Sequence, residues 1–329
     1  MHIFTITGKA HAPWGRHYAA QLRLALQAVH TGAHMVAIDA ESQHSSPGWQ
    51  MPPWVLGRWA RRWWLQRRVG PTAPALVVHV GSITPCKLPC PQVLVCFKPP
   101  NEALLARAKR HQVLVAAAWP QLAGPHVLAL GHGGWPSYFP LDWHQQDDTM
   151  AVHTGGCAYF FVEAAHLSVA MLVQLLKAFS IFKKRQKTGM KLVIANGHSK
   201  LASVLRGYKF AADVVIDTPL NARPQLVASA YAVLVLGPGL QANAAVLQAL
   251  QGHRALLCLP ESAFQPLAGN AAMYAASLEP AAFASMLMQL YTHEAAVQQQ
   301  QQHAAHAVQQ QYNWPQVAQT LLQALPPLV

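Results

Sequence analysis

Apolar residues along this chain come in short runs separated by longer mixed stretches, and that alternation predicts the elements. Residues 3–7 form an apolar run fit for a strand, 8–15 read as a turn, and a helix is expected from about Tyr18 to Val29. A second strand fits 35–39. Residues 40–56 are polar, then rich in Pro and Trp, and read as a loop. The runs at 75–80 and 93–97 are short and apolar, as expected of strands buried on both faces of a parallel sheet. A helix over 102–111 and strands over 113–117 and 126–130 follow. Residues 131–148 read as irregular and as the domain boundary.

The second half repeats the alternation more cleanly. Strands are expected at 158–162, 191–195, 214–216, 232–236 and 255–259, with helices at 169–184, 224–230, 244–251, 280–292 and over most of 294–325. The glutamine run at 298–302, flanked by alanines, suits a surface helix. Alternating β and α of this length predicts an α/β fold, with parallel sheets carrying helices on both faces. Two such halves predict two Rossmann-like domains, 1–148 and 149–308, with 309–329 as a C-terminal helix crossing back to the first.

Composition narrows the function classes. The chain has 329 residues, 52% apolar and only 11% charged, which excludes a disordered chain. Its formal charge of +12 comes from 24 Lys and Arg against 12 Asp and Glu, so a mechanism that needs carboxylates has few candidates. No run reaches about 18 apolar residues, as a membrane-spanning helix would need, and no signal-peptide pattern opens the chain. Cytoplasmic residence is the expectation. The five cysteines, Cys86, Cys90, Cys96, Cys157 and Cys258, are odd in number and scattered, which reads as reduced thiols rather than a disulfide framework. Cys86, Cys90 and Cys96, or His303 and His306, lack the paired CxxC or HExxH spacing of metal sites. Neither a metal nor a cofactor is expected.

The segment from Trp54 to Arg68 is unusual. On a helix at about 100° per residue, Arg58, Arg61, Arg62 and Arg68 share one arc, and Val55, Leu56, Trp59, Trp63 and Trp64 share most of the opposite one. Trp54, Leu65 and Arg67 break the separation. Trp59, Arg61, Arg62, Trp63 and Trp64 suit an anionic membrane surface or a lipid-linked acceptor. Nucleic acid is the weaker alternative. A helix that packs its tryptophans on its own domain and leaves the arginines wet fits the same residues.

From about residue 138 several segments occur in a familiar order. They are Tyr138-Phe-Pro-Leu-Asp-Trp143, Thr154-Gly-Gly-Cys-Ala-Tyr-Phe-Phe161, Lys177-Ala-Phe-Ser-Ile-Phe-Lys-Lys-Arg185, Met190-Lys-Leu-Val-Ile194, Ser229-Ala-Tyr-Ala-Val233, Ala268-Gly-Asn-Ala-Ala-Met-Tyr274 and Tyr312-Asn-Trp-Pro315. Together they resemble bacterial group 1 glycosyltransferases of the GT-B type, over roughly 190 residues. The first 137 residues match only in broad layout. The resemblance implies two Rossmann-like domains facing a cleft. It also implies retaining transfer from a nucleotide-sugar donor to a cell-envelope glycan or lipid-linked acceptor, and the segment from Trp54 to Arg68 adds the expectation of peripheral contact at the inner membrane face.

That family holds its donor with a glycine-rich loop and a helix carrying two glutamates, seven residues between them. Here the stretch reads Gly237-Pro-Gly-Leu-Gln-Ala-Asn-Ala-Ala-Val-Leu-Gln-Ala-Leu-Gln-Gly252. Gln248 falls at the second glutamate and Leu240 at the first, with Gln241 adjacent. No acid lies between Asp217 and Glu261, so no shift of alignment restores the motif. Gly239, Gln241, Asn243 and Gln248 become the donor-loop candidates, and His166 and Lys200 are candidate diphosphate partners. Gly15 and Arg16, after the first strand, could meet a phosphate or the acceptor, or form a plain tight turn. The family's His-Asp pair after the strand at 93–98 is missing. These losses raise an alternative: a catalytically inactive GT-B relative that acts by binding.

Overall fold

The structure is a computed structural model that describes residues 2–7, 12–39, 63–67, 76–81, 87–165, 167–196, 201–216, 220–259 and 264–325. The chain divides into two compact units, Met1–Gly133 with Tyr312–Val329, and Gly134–Gln311.

The first unit is built on β1 (His2–Thr7), β2 (His34–Asp39), β3 (Leu76–Val80), β4 (Gln92–Cys96), β5 (Val113–Ala117) and β6 (Leu128–Ala129). They pair in the order β2-β1-β3-β4-β5-β6, all parallel, with Ile3 opposite Met35 on one side and Leu76 on the other. β3 and β4 are buried at every position, and their two polar residues pair with each other, His79 Nε2 lying 3.1 Å from Gln92 Oε1. Helix Ala12–Val29 begins about six residues earlier than the pattern predicts, so Gly15 and Arg16 lie within it rather than in a tight turn. Pro13 fits the first helical turn, where its missing N–H is not needed. Helix Glu102–Arg110 is capped by Asn101, whose side chain accepts from the Leu104 N–H at 2.9 Å. Helix Trp314–Gln323 packs against helix Ala12–Val29.

The second unit contains β7 (Tyr159–Glu163), β8 (Lys191–Ala195), β9 (Val214–Val215), β10 (Ala232–Val235), β11 (Ala255–Cys258) and β12 (Ala272–Tyr274). The order is β12-β11-β10-β7-β8-β9, again all parallel. Its core joins Phe160, Val162, Leu175, Phe179, Phe182, Leu192, Leu234, Leu257, Phe283 and Leu287. Two of its contributors, helices Val169–Gln186 and Pro280–Thr292, pack together on one face of the sheet. The stretch read as irregular instead carries helix Trp143–Thr154. Asp142 starts it with a capping box, its side chain accepting from the Gln145 N–H while Gln145 accepts from the Asp142 N–H. Gly155 ends it in a left-handed conformation at φ 64°. Its apolar and polar residues are not segregated by face, so periodicity could not reveal it. The glutamine run lies in helix Glu294–Gln311, where Gln300 is buried.

Among the described residues no helix is long and apolar enough to cross a membrane.

Candidate functional site

Ligands of doubly wound sheets bind at the carboxyl ends of the strands, where the strand order reverses. In the second unit the chain lays β8 and β9 on one side of β7, then returns to start β10 on its other side. The reversal therefore lies between β7 and β10. β10 leads into Leu236-Gly237-Pro238-Gly239, with φ of 76° at Gly237 and 112° at Gly239. Side chains rarely tolerate this conformation. At Gly237 a Cβ would also lie 3.1 Å from Met171 Cε.

Gly239 is the N-cap of helix Leu240–Gln251, and no side chain caps that end. The first N–H groups of the helix are thus available to an anion, at the positive end of the helix dipole. The Asn243 N–H closes the first turn onto the Gly239 carbonyl at 3.0 Å. The Asn243 side chain is buried, and its Oδ1 has no hydrogen-bond partner. An orphaned buried acceptor costs about 1–3 kcal/mol.

Next to this turn, β7 ends in a buried acid, Glu163. Its Oε1 accepts from Asn196 Nδ2 at 3.0 Å and from the Ala165 N–H at 3.3 Å. Its Oε2 faces Arg223 Nη1 at 3.2 Å, an ion pair whose geometry falls short of a hydrogen bond. Asn196 follows β8 at φ 51°, and Arg223 opens helix Arg223–Ala228. The Tyr138 phenol is pushed up to about 12, mainly by burial; the Arg223 charge draws it down and the Glu163 charge pushes it up.

The sequence candidates fall into three groups. Gly239, Gln241 and Asn243 share the first turn of one helix, Gln241 exposed and Asn243 buried. Gln248 is buried farther along, on the stripe of Gln241 and about 10 Å from it along the axis. Trp63 and Trp64, predicted on one arc, are split: Trp64 packs in the first unit's core with Phe4 and Val36, while Trp63 is 50% exposed with the Arg67 guanidinium 5.1 Å above its ring. Trp64 is therefore not available to a membrane surface. His166, Lys200, Trp59, Arg61 and Arg62 lie outside the described residues. The sequence reading missed Glu163, Asn196 and Arg223. The signal was the scarcity of acids: one of only 12 directly follows a predicted strand.

The carboxyl edge of the first unit has a different character. Tyr18 donates to the Gly131 carbonyl at 2.8 Å and meets Phe97, His132 and Trp314 edge-on, with centroids 5.4, 5.1 and 5.0 Å away. Trp119 stacks on His132 at 4.9 Å. A Cβ on Gly133 would lie 2.3 Å from the Trp314 ring, so only glycine allows that ring to seat. Burial lowers His132 to about 3 and His17 to about 4, so both are neutral near pH 7. Gly15 is buried near Phe97 and Val80, and Arg16 is half-buried beside it.

Among the described residues no group of three or more His, Cys, Asp or Glu converges as metal ligands. His303 and His306 instead line a cavity of about 200 Å³ with Asn270 and Gln311.

No protein-family model matches the chain, and no curated protein matches it by sequence. Solved structures do match. WaaG, a glycosyltransferase involved in lipopolysaccharide biosynthesis, is 11% identical with a TM-score of 0.70, over 99% of this chain and 100% of that one. Anabaena HepE in complex with UDP is 11% identical with a TM-score of 0.71, over 98% and 99%. A Listeria monocytogenes protein assigned as a UDP-N-acetylglucosamine 2-epimerase is 11% identical with a TM-score of 0.63, over 98% and 95%. The fold is GT-B-like, with two Rossmann-like units. The third is assigned a different activity, so the fold does not name the reaction.

Proposed function

We propose that the protein binds a nucleotide-sugar at the carboxyl edge of its second sheet and transfers the sugar to a cell-envelope glycan or lipid-linked acceptor. The observation that carries this reading is the uncapped start of helix Leu240–Gln251, set behind two left-handed glycines and holding the unpartnered Asn243 acceptor. Transfer leaves a diphosphate, and its growing charge needs N–H donors and cations fixed in advance. The likeness to HepE, solved with UDP and with UDP-glucose, supports the choice of donor class. Trp63, half exposed beneath Arg67, supports a peripheral contact with a membrane that would present a lipid-linked acceptor.

One observation favours a second reading. Helix Leu240–Gln251 contains no acid, and Gln248 is buried within it. An amide can hydrogen-bond a ribose hydroxyl but cannot supply charge. A GT-B protein that keeps the nucleotide and has lost transfer would show this pattern.

Thermal unfolding with UDP-, GDP- and ADP-sugars tests the shared premise. A ligand at 100 times its Kd adds about 2.7 kcal/mol of stability, a clear rise in midpoint. A rise with one nucleotide, followed by release of that nucleotide with an acceptor extract, supports transfer. A rise without release supports the binding protein. No rise with any of them overturns both.

A further inference from the structure

We infer that Arg223, held in place by Glu163, supplies the positive charge that binds the donor's diphosphate beside the start of helix Leu240–Gln251. The inference rests on the donor-site reading above and names the residue on which that site turns.

Placement is the first argument. Glu163 is the last residue of β7, and Arg223 is the first of helix Arg223–Ala228. That helix packs against helix Leu240–Gln251. Both helices run back from the carboxyl edge toward the start of the next strand, β10 or β11. The guanidinium and the uncapped N–H groups therefore flank one strand end, at the point where the strand order reverses.

Unused capacity is the second. A guanidinium carries five N–H donors in a planar fork suited to phosphate oxygens. Arg223 turns Nη1 toward Glu163, and its side chain is 21% exposed. The second unit contains a contrasting ion pair, Lys183–Asp213 at 3.0 Å. It lies at the opposite edge of the sheet, near the starts of β8 and β9. Lys183 also donates to the carbonyls of Thr188 at 2.5 Å and Met190 at 3.1 Å. Its side chain is only 6% exposed. All three ammonium donors are committed, so that pair is structural. Arg223 retains donors and an opening to solvent.

Charge supply is the third. From Gly237 to His253 the chain has no Lys or Arg. The next cation, Arg254, precedes β11 at the opposite edge, where it donates to the Gly252 carbonyl and to Gln146. Glu163 is then a positioning residue. Asn196 and the Ala165 N–H fix its carboxylate, which in turn aims the guanidinium.

The test is calorimetric titration of the whole chain with UDP, GDP and ADP, and with the matching nucleosides. Arg223→Ala should weaken the diphosphate that the wild type binds by tenfold or more. Affinity for the nucleoside should stay unchanged, and Arg223→Lys should keep part of the diphosphate affinity. A merely structural arginine would lower both affinities together. If circular dichroism shows Arg223→Ala unfolded, the double variant Glu163→Gln with Arg223→Gln, which removes both charges of the pair, carries the same expectation. Equal diphosphate affinity in a folded variant overturns the role of Arg223 and leaves the donor site standing. A wild type that binds none of the three diphosphates overturns both.

Discussion

The two units share a parallel, doubly wound sheet but finish its carboxyl edge in opposite ways. The first closes it with neutral aromatic groups, Tyr18, Phe97, Trp119, His132 and Trp314. The second places an ion pair, two left-handed glycines and an uncapped helix start there. Burial in the first edge goes as far as suppressing histidine charge. In the second a buried carboxylate faces a guanidinium 3.2 Å away. A neutral edge of buried aromatic groups favours packing, whereas fixed positive charge and free N–H groups favour a phosphate. The contrast comes from the residues at each edge and not from the sheets, which are alike.

The largest effects come from removing the centre of each edge. Trp119→Ala should destabilise the first unit by about 3–5 kcal/mol, because a fully buried indole leaves a cavity. Arg223→Ala should cost the second unit a similar ~3–5 kcal/mol, for a different reason: it strands the Glu163 charge in the interior. Urea unfolding followed by hydrogen exchange in each unit separates the two. Adding Glu163→Gln should recover most of the second loss, while no second substitution of charge should recover the first.

Acid should sharpen the contrast next. His17 and His79 are lowered to about 4 and His132 to about 3, in each case chiefly by burial, so each binds its proton more readily in the unfolded chain. Their contribution is intact above about pH 6.5 and is lost as pH falls toward 4 and then 3. Each histidine contributes roughly 1.4 kcal/mol per pH unit across its window. In hydrogen exchange at pH 5 the first unit should lose protection before the second. Equal loss in the two would contradict the neutral character assigned to the aromatic edge.

Asn243→Ala is the next step down. It removes an orphaned acceptor from a helix and improves helix propensity, so the unliganded midpoint should rise by the equivalent of ~1 kcal/mol. Nucleotide affinity should fall about tenfold in the same variant. A fall in both would mean that Asn243 serves packing alone. The smallest effect is at Trp63, whose replacement by Ser should change stability by less than ~0.5 kcal/mol. Binding to vesicles containing anionic lipid should nevertheless drop; unchanged binding would remove Trp63 from any membrane contact.

The alternation of apolar runs was enough to read eleven of the twelve described strands, because buried parallel strands such as Leu76–Val80 and Tyr159–Glu163 are apolar almost throughout, but it gave no strand at the three-residue β12. Helix Trp143–Thr154 escaped because its capping box, not its periodicity, defines it. Helix Ala12–Val29 takes in the end of the stretch read as a turn, because Pro13 is compatible with a first helical turn. The glycine loop was legible through the resemblance of the segments around it. The Glu163–Arg223 pair was not, since 60 positions separate the two residues and only the crossover from β9 to β10 brings them together. The split of Trp63 from Trp64 was equally hidden, because neighbours on a helix differ by about 100° and the boundary of the core can fall between them.

The most direct measurement is hydrogen exchange of the whole chain with and without UDP-glucose. The account predicts new protection at 163–165, 222–225 and 237–243 in the second unit, with the aromatic edge around Tyr18, Trp119 and His132 unchanged. Protection confined to the aromatic edge, or none anywhere at millimolar ligand, would contradict it.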